Sequence, residues 1–265
     1  MPAVQPESVT GPQSGARRGG DPRAAGAADA PGGAGLVHSE TSDTRFTIDP
    51  HEARCARMHK GVLNAARLIE QRERSARGRR PWRPAFLTLT YRDTNQFTAR
   101  QVTGLLKCLR QWGKRRGITL PYVWVLERGS LHGRLHYHVI VWLPPGLSLP
   151  KPDKQGWWPW GMTQIKRLKN PVGYAAKYAG KDSDPPPKGA RMHGCGGLVW
   201  ADRLERAWWS APKWVREIWP DPYDMPRRAP GGGWCSKVSG EWRPSPYEIA
   251  GFHAGKVIVQ PRSSP

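Results

Sequence analysis

The chain has 265 residues, with 42 Lys+Arg against 21 Asp+Glu and a formal net charge of +21. Such a surplus attracts polyanions, above all nucleic acid, and the length allows one ordinary domain with tails or two small ones. No run of ~18 apolar residues is present to span a membrane, and the first twenty residues lack the apolar core of a secretory signal. Cys55, Cys108, Cys195 and Cys235 are spaced too widely for a zinc knuckle or a dense disulfide framework. A cytoplasmic protein with reduced thiols and no membrane contact is expected.

Residues 1–44 are rich in Ala, Gly, Pro, Ser and Asp and read as a disordered tail. Residues 45–83 read as a basic helical lead-in. Met58, Val62, Leu63, Ala66 and Ile69 fall there at helical spacing, until the Arg-rich, Pro-containing stretch 72–84 breaks the pattern. Segment 86–91 (FLTLTY) alternates and is β-rich, so it predicts a strand. Phe97 to Gln101 forms a capping box with Thr98 as N-cap and Gln101 at N3; Phe97 stands ready to staple onto Val102. The helix it opens carries Val102, Leu105, Leu106, Leu109 and Trp112 as an apolar stripe and stops at Gly117.

Tyr122–Arg128 and Leu135–Leu143 predict two strands of an antiparallel hairpin across the polar loop Gly129–Arg134. Trp160–Leu168 suggests another strand. Asn170 and Pro171 read as N-cap and first residue of a helix running to Lys181. Strands and helices in this order predict an α+β fold, a central antiparallel sheet with flanking helices, over residues 84–184. Residues 185–265 form a Trp-rich C-terminal extension of unassigned role. Ser210 and Pro212 split Trp200–Trp219 into two short helices.

Charge follows the same division. Residues 1–80 hold 13 basic and 9 acidic side chains, residues 185–265 hold 12 and 7, and residues 81–184 hold 17 and 5. More than half of the excess therefore lies in the middle third. A solubility device would be spread evenly.

The strand LHYHVIVWL (135–143) puts His136 and His138 on one face and Leu135, Tyr137, Val139 and Val141 on the other. Two imidazoles two residues apart can converge on one metal. An isolated His-x-His is more often a solvated pair, but the neighbouring strand ends at Glu127, the only acid between Asp93 and Asp153. If Arg128 faces Leu135, then Glu127 faces His136, and cross-strand partners share a face. One carboxylate and two imidazoles, completed by water and phosphate oxygens, suit Mg²⁺ or Mn²⁺. His132 is expected to be exposed in the loop. On the following helix Tyr174 and Tyr178 stand at i and i+4, flanked by Lys177 and Lys181. Nearby ammonium groups favour a phenolate, which is the nucleophilic form. Metal, paired tyrosines and basic surroundings describe a phosphodiester cleaver that forms a phosphotyrosine.

His136-Tyr137-His138 resembles the His-hydrophobic-His motif of the HUH endonucleases. YAAKYAGK (174–181) resembles their third motif in the two-tyrosine form of rolling-circle initiators from single-stranded DNA phages, and 86–91 resembles their first. The resemblance covers about residues 84–182. It implies a rolling-circle replication initiator, a metal-dependent tyrosine DNA endonuclease and strand transferase. By position His136, His138 and Glu127 would hold the metal. Tyr174 and Tyr178 would be nucleophiles, with Lys177 positioning or polarising one of them. Arg128, Arg134, Lys166, Arg167, Lys169 and Lys181 would meet DNA. The partners implied are single-stranded origin DNA and, since no helicase phosphate loop is present, a host helicase as well as a DNA polymerase. A transposase or mobilisation relaxase of the same chemistry, or a non-catalytic basic binding module with Trp stacking platforms, is the alternative.

Overall fold

The computed structural model describes residues 45–77, 80–129, 133–179, 187–230 and 232–262. The expected N-terminal tail, His132 and Lys181 lie outside the described residues. Chain order begins with a short strand, Phe46–Ile48 (β1), and a long helix, Pro50–Arg77 (α1). Asp49 opens the helix: its Oδ1 accepts from the N–H groups of His51 (2.8 Å) and Glu52 (3.2 Å). Pro50 then occupies the position where a missing N–H costs nothing.

Arg83–Tyr91 (β2) is followed by helix Gln101–Lys114 (α2), then by Tyr122–Arg128 (β3), Leu135–Leu143 (β4), Gly161–Arg167 (β5), helix Pro171–Ala179 (α3) and His193–Gly196 (β6). These five strands form one antiparallel sheet in the order β5-β2-β4-β3-β6. The expected α+β class with a central antiparallel sheet is present, with five helices among the described residues. The predicted strand at 86–91 is extended backwards to Arg83, because Arg83, Pro84 and Ala85 pair with Leu143, Trp142 and Val141.

The capping box is realised in part. Gln101 Oε1 accepts from the Thr98 N–H at 2.8 Å, but the helix itself starts at Gln101. Arg100, not Thr98, therefore stands at the N-cap, with no side-chain cap bond, while the buried Gln101 side chain also accepts from the Tyr91 hydroxyl (2.6 Å) and donates to the Gln96 carbonyl (2.7 Å). Phe97 packs edge-on against Tyr91, 5.8 Å between centroids. Asn170 caps α3 as expected, its Oδ1 accepting from the Gly173 N–H at 2.8 Å.

Side-chain alternation gives the sheet two faces. Leu87, Leu89, Tyr91, Tyr137 and Val139 point one way and are buried, with Trp158 packed on Tyr91 and Tyr137. The opposite face carries Phe86, Thr88, Thr90, His136 and His138, and α1 and α3 pack together over it. Trp142 Nε1 donates to Glu70 of α1 at 2.9 Å, tying helix to sheet. Met58, Val62, Ala66 and Ile69 of α1 belong to the same core as the strands, while Leu63 is half-buried.

The edge strand β6 is absent from the sequence reading because His193-Gly194-Cys195-Gly196 looks like a turn. It is glycine-rich for contact: a Cβ on Gly194 would stand 2.6 Å from Trp124 Nε1, and one on Gly196 would stand 2.4 Å from the Tyr122 ring.

Helices Trp200–Ser210 (α4) and Lys213–Ile218 (α5) follow, split as predicted. Strands Arg227–Arg228 (β7), Trp234–Cys235 (β8) and Trp242–Arg243 (β9) form a small sheet. Tyr247–His253 (β10) and Lys256–Pro261 (β11) form a hairpin to which β1 adds, pairing Phe46 with Val259 and Ile48 with Val257. Arg72 of α1 bonds Asp202 of α4 at 2.5 Å, beside the buried Glu73. No described helix is long and apolar enough to cross a membrane, and none of the four cysteines forms a disulfide.

Candidate active site

The hairpin register pairs Glu127 with His136 and Arg128 with Leu135. Thr88 pairs with His138 and Thr90 with His136 across β2 and β4. Five polar side chains thus share one face of three adjacent strands. Each imidazole is held by a threonine: Thr90 Oγ1 lies 3.0 Å from His136 Nδ1, and Thr88 Oγ1 lies 3.3 Å from His138 Nδ1. With Nδ1 engaged, Nε2 is the atom each ring presents for other work. The rings lie 6.1 Å apart and nearly parallel, 12° between planes.

Glu127 also reaches past the residue directly opposite. Its Oε2 lies 2.6 Å from Nε2 of His138, the diagonal neighbour, and both groups are buried. The His136 ring lies over Gly129, where a Cβ would stand 2.8 Å from His136 Nε2. Among the described residues no three His, Cys, Asp or Glu side chains stand grouped as a ready metal cage. The donor chemistry nonetheless fits a divalent cation: a buried carboxylate against one imidazole, a second imidazole beside it, and both rings oriented through their Nδ1 atoms.

Helix α3 brings the tyrosines to this face. The Tyr178 ring lies 4.0 Å from the His138 ring, centroid to centroid, and stacks on Phe86 at 5.4 Å. Tyr174 meets Phe86 edge-on at 5.3 Å, stands 6.1 Å from Tyr178, and is 39% exposed. Ala175 and Ala179, both buried, let the helix lie close to its neighbours. Burial pushes the phenols of Tyr91, Tyr122 and Tyr137 above their ordinary range and holds them neutral. Phenols shielded in this way are poor nucleophiles.

The predicted basic residues divide into groups. Lys177 is exposed, with its Nζ 5.8 Å from the centre of the Tyr178 ring. Lys166 pairs with Phe86 on the edge strand β5 and therefore shares the site face, whereas Arg167 pairs with Ala85 and points the other way. Lys166, Arg167 and the exposed Lys169 line a groove with Arg83 at the end of β2 and β5. Arg128 donates to the Gly133 carbonyl at 3.0 Å, and Arg134 is exposed, both at the hairpin end.

Sequence reasoning missed Thr88, Thr90, Phe86 and Gly129. The signal for the first three was present: in FLTLTY the positions 86, 88 and 90 fall on one face, two of them hydroxyls. Gly129 gave no signal, because its role depends on where the His136 ring comes to rest.

Residues 84–183 match the model of a family described as replication-associated protein ORF2/G2P. That stretch holds β2 to β5, α2 and α3, and so every residue of the site described above. The similarity supports a role in replication. Neither the curated proteins nor the solved structures contain a match to this chain.

Proposed function

We propose that this chain is a rolling-circle replication initiator that nicks and rejoins single-stranded origin DNA through a 5′-phosphotyrosine. The observation that carries the reading is the contact between Tyr178 and His138, whose Nε2 meets Glu127. It joins a candidate nucleophile to a candidate ligand set within one small cleft. The family match over the same residues supports replication as the setting.

Glu127, His136 and His138 would hold the cation, Mg²⁺ or Mn²⁺. When bound, it would polarise a phosphate oxygen and neutralise charge developing in the transition state. The protein's own residues do the rest. Thr88 and Thr90 fix the imidazole rings. Phe86 is the floor on which both tyrosine rings rest. Tyr178 Oη attacks the scissile phosphorus and its proton passes to water. The P–O3′ bond breaks, the 3′ oxygen takes up a proton, and the 5′-phosphate remains on tyrosine. Lys177 holds positive charge beside the phenol and favours its ionised form. In the second half, Tyr174 would cut the regenerated origin in the same way; the 3′-hydroxyl this frees attacks the Tyr178 phosphotyrosine, the P–Oη bond breaks, the strand is rejoined and the Tyr178 phenol takes back a proton. A host helicase and DNA polymerase would supply unwinding and synthesis.

The test is a denaturing gel with end-labelled oligonucleotides tiling the DNA that encodes the chain, with Mg²⁺ or Mn²⁺ added. A covalent protein–DNA adduct is expected from the wild type. An adduct of equal yield from the Tyr174→Phe, Tyr178→Phe double variant would refute the mechanism.

A further inference from the structure

A second groove lies away from the tyrosines. One wall is α1, which presents Arg57 and Lys60 one turn apart beside Ala53 and Ala56. The other wall is the Ser210–Pro212 turn between α4 and α5, together with Arg228 of β7 and Trp234 of β8. Among the described residues three cations line the groove and no carboxylate does. Arg57 and Arg228 are exposed. Lys60 Nζ donates to the Ala211 carbonyl at 3.2 Å, and burial, then the charge of Arg216, hold its ammonium pKa below the ordinary value. The Arg228 guanidinium lies 5.9 Å over the Trp234 ring. Nearby, Arg216 lies over Trp208 and Trp209 at 5.5 and 5.1 Å.

We infer that this groove is a second binding site for single-stranded nucleic acid, with Arg57, Lys60 and Arg228 on the phosphates and Trp234 as a stacking platform for a base. The choice of occupant follows from the chemistry. Unbalanced cations select a polyanion. A flat aromatic face among them selects one with flat rings, which an acidic peptide lacks and a duplex hides inside its stack. None of these residues lies within 84–183, the stretch similar to replication-associated proteins. The inference rests on the proposal of a single-stranded DNA substrate, giving that strand a second hold, but it does not need cleavage.

The test therefore uses the full chain carrying Tyr174→Phe and Tyr178→Phe, so that binding is read without cutting. Fluorescence anisotropy with a labelled thymidine 30-mer measures affinity across a salt series. Adding Arg57→Glu and Arg228→Glu, both at exposed positions, should weaken binding about ten- to hundred-fold and flatten the log–log salt slope by about 1.4, the loss of two phosphate contacts. Affinity and slope unchanged within two-fold would overturn the inference. A 30-mer of abasic sites should bind the parent more weakly than the thymidine 30-mer, and Trp234→Phe should keep that difference. Equal binding of the two oligonucleotides would overturn the stacking role, and competition by polyglutamate as strong as by the 30-mer would overturn the choice of nucleic acid. Adduct formation in the same Arg57/Arg228 background with both tyrosines restored reports separately on the cleavage proposal.

Discussion

Glu127 faces His136 across the β3–β4 hairpin and bonds the diagonal neighbour His138, with 2.6 Å between Oε2 and Nε2. A proton between a buried carboxylate and an imidazole occupies the place where a cation shared by the two would sit. Glu127→Gln keeps the size and a hydrogen-bonding group but removes the charge. It should lower single-turnover cleavage by about 10- to 100-fold or more and raise the Mg²⁺ or Mn²⁺ concentration needed for half-maximal rate. Wild-type metal dependence in this variant would exclude Glu127 as a ligand.

Gly129 offers a test that leaves every polar group in place. Its backbone angles suit any residue, since it is absent from the positive-φ positions. An added Cβ would nevertheless stand 2.8 Å from His136 Nε2 and push the ring aside. Gly129→Ala should change unfolding free energy by less than about 1 kcal/mol while slowing cleavage severalfold or more, because a displaced ligand is costly to catalysis. Urea denaturation and cleavage kinetics on the same preparation check both halves.

The tyrosines should not be equivalent. Tyr178 lies against His138 and half inside the cleft, whereas Tyr174 stands further out on Phe86. Tyr178→Phe should abolish the adduct with a first origin strand, and Tyr174→Phe should leave most of it. Peptide mapping of the wild-type adduct gives an independent answer; phosphotyrosine found mainly at Tyr174 would reverse the assignment.

His193 sets an acid limit on stability. It is half-buried on β6 against Gly61, and burial, then the charges of Arg206, Arg191 and Arg54, lower its pKa from 6.5 to about 4. The unfolded chain therefore takes up a proton that the folded chain refuses. The stability this contributes is whole above about pH 6.5 and is lost as pH falls toward 4. Allowing for solvent screening of a partly exposed group, wild type should lose about 1–2 kcal/mol more than His193→Gln between pH 7 and pH 4. Parallel urea titrations at the two pH values would show it; equal losses would count against the assignment.

Much of the sheet was legible in the sequence, for physical reasons. β3 and β4 are β-rich, largely apolar runs of seven and nine residues joined by a short polar loop, and the register that aligns Glu127 with His136 follows from that hairpin. The α3 cap was legible because Asn-Pro states both the cap and the first turn. What stayed hidden depends on contacts distant in sequence. β6 is too short and glycine-rich to announce itself, and β1 becomes a strand only by meeting β11 some two hundred residues later. The candidate site was legible as a set of residue types, but its pairing was not: the diagonal reach of Glu127 and the threonine anchors follow from rotamers, which a residue pattern does not encode.

Helix α1 and strand β6 have a consequence for anyone isolating the portion that carries the candidate site. Both lie outside residues 84–183, yet Met58, Val62 and Ile69 seal the face that carries His138, and β6 closes the open side of β3. A fragment trimmed to the matched stretch would bare an apolar surface and a raw strand edge, the two features that drive chains to aggregate. The smallest fragment that keeps this packing should therefore begin near Asp49 and extend past Gly196, and its boundaries belong where packing ends, not where family similarity does.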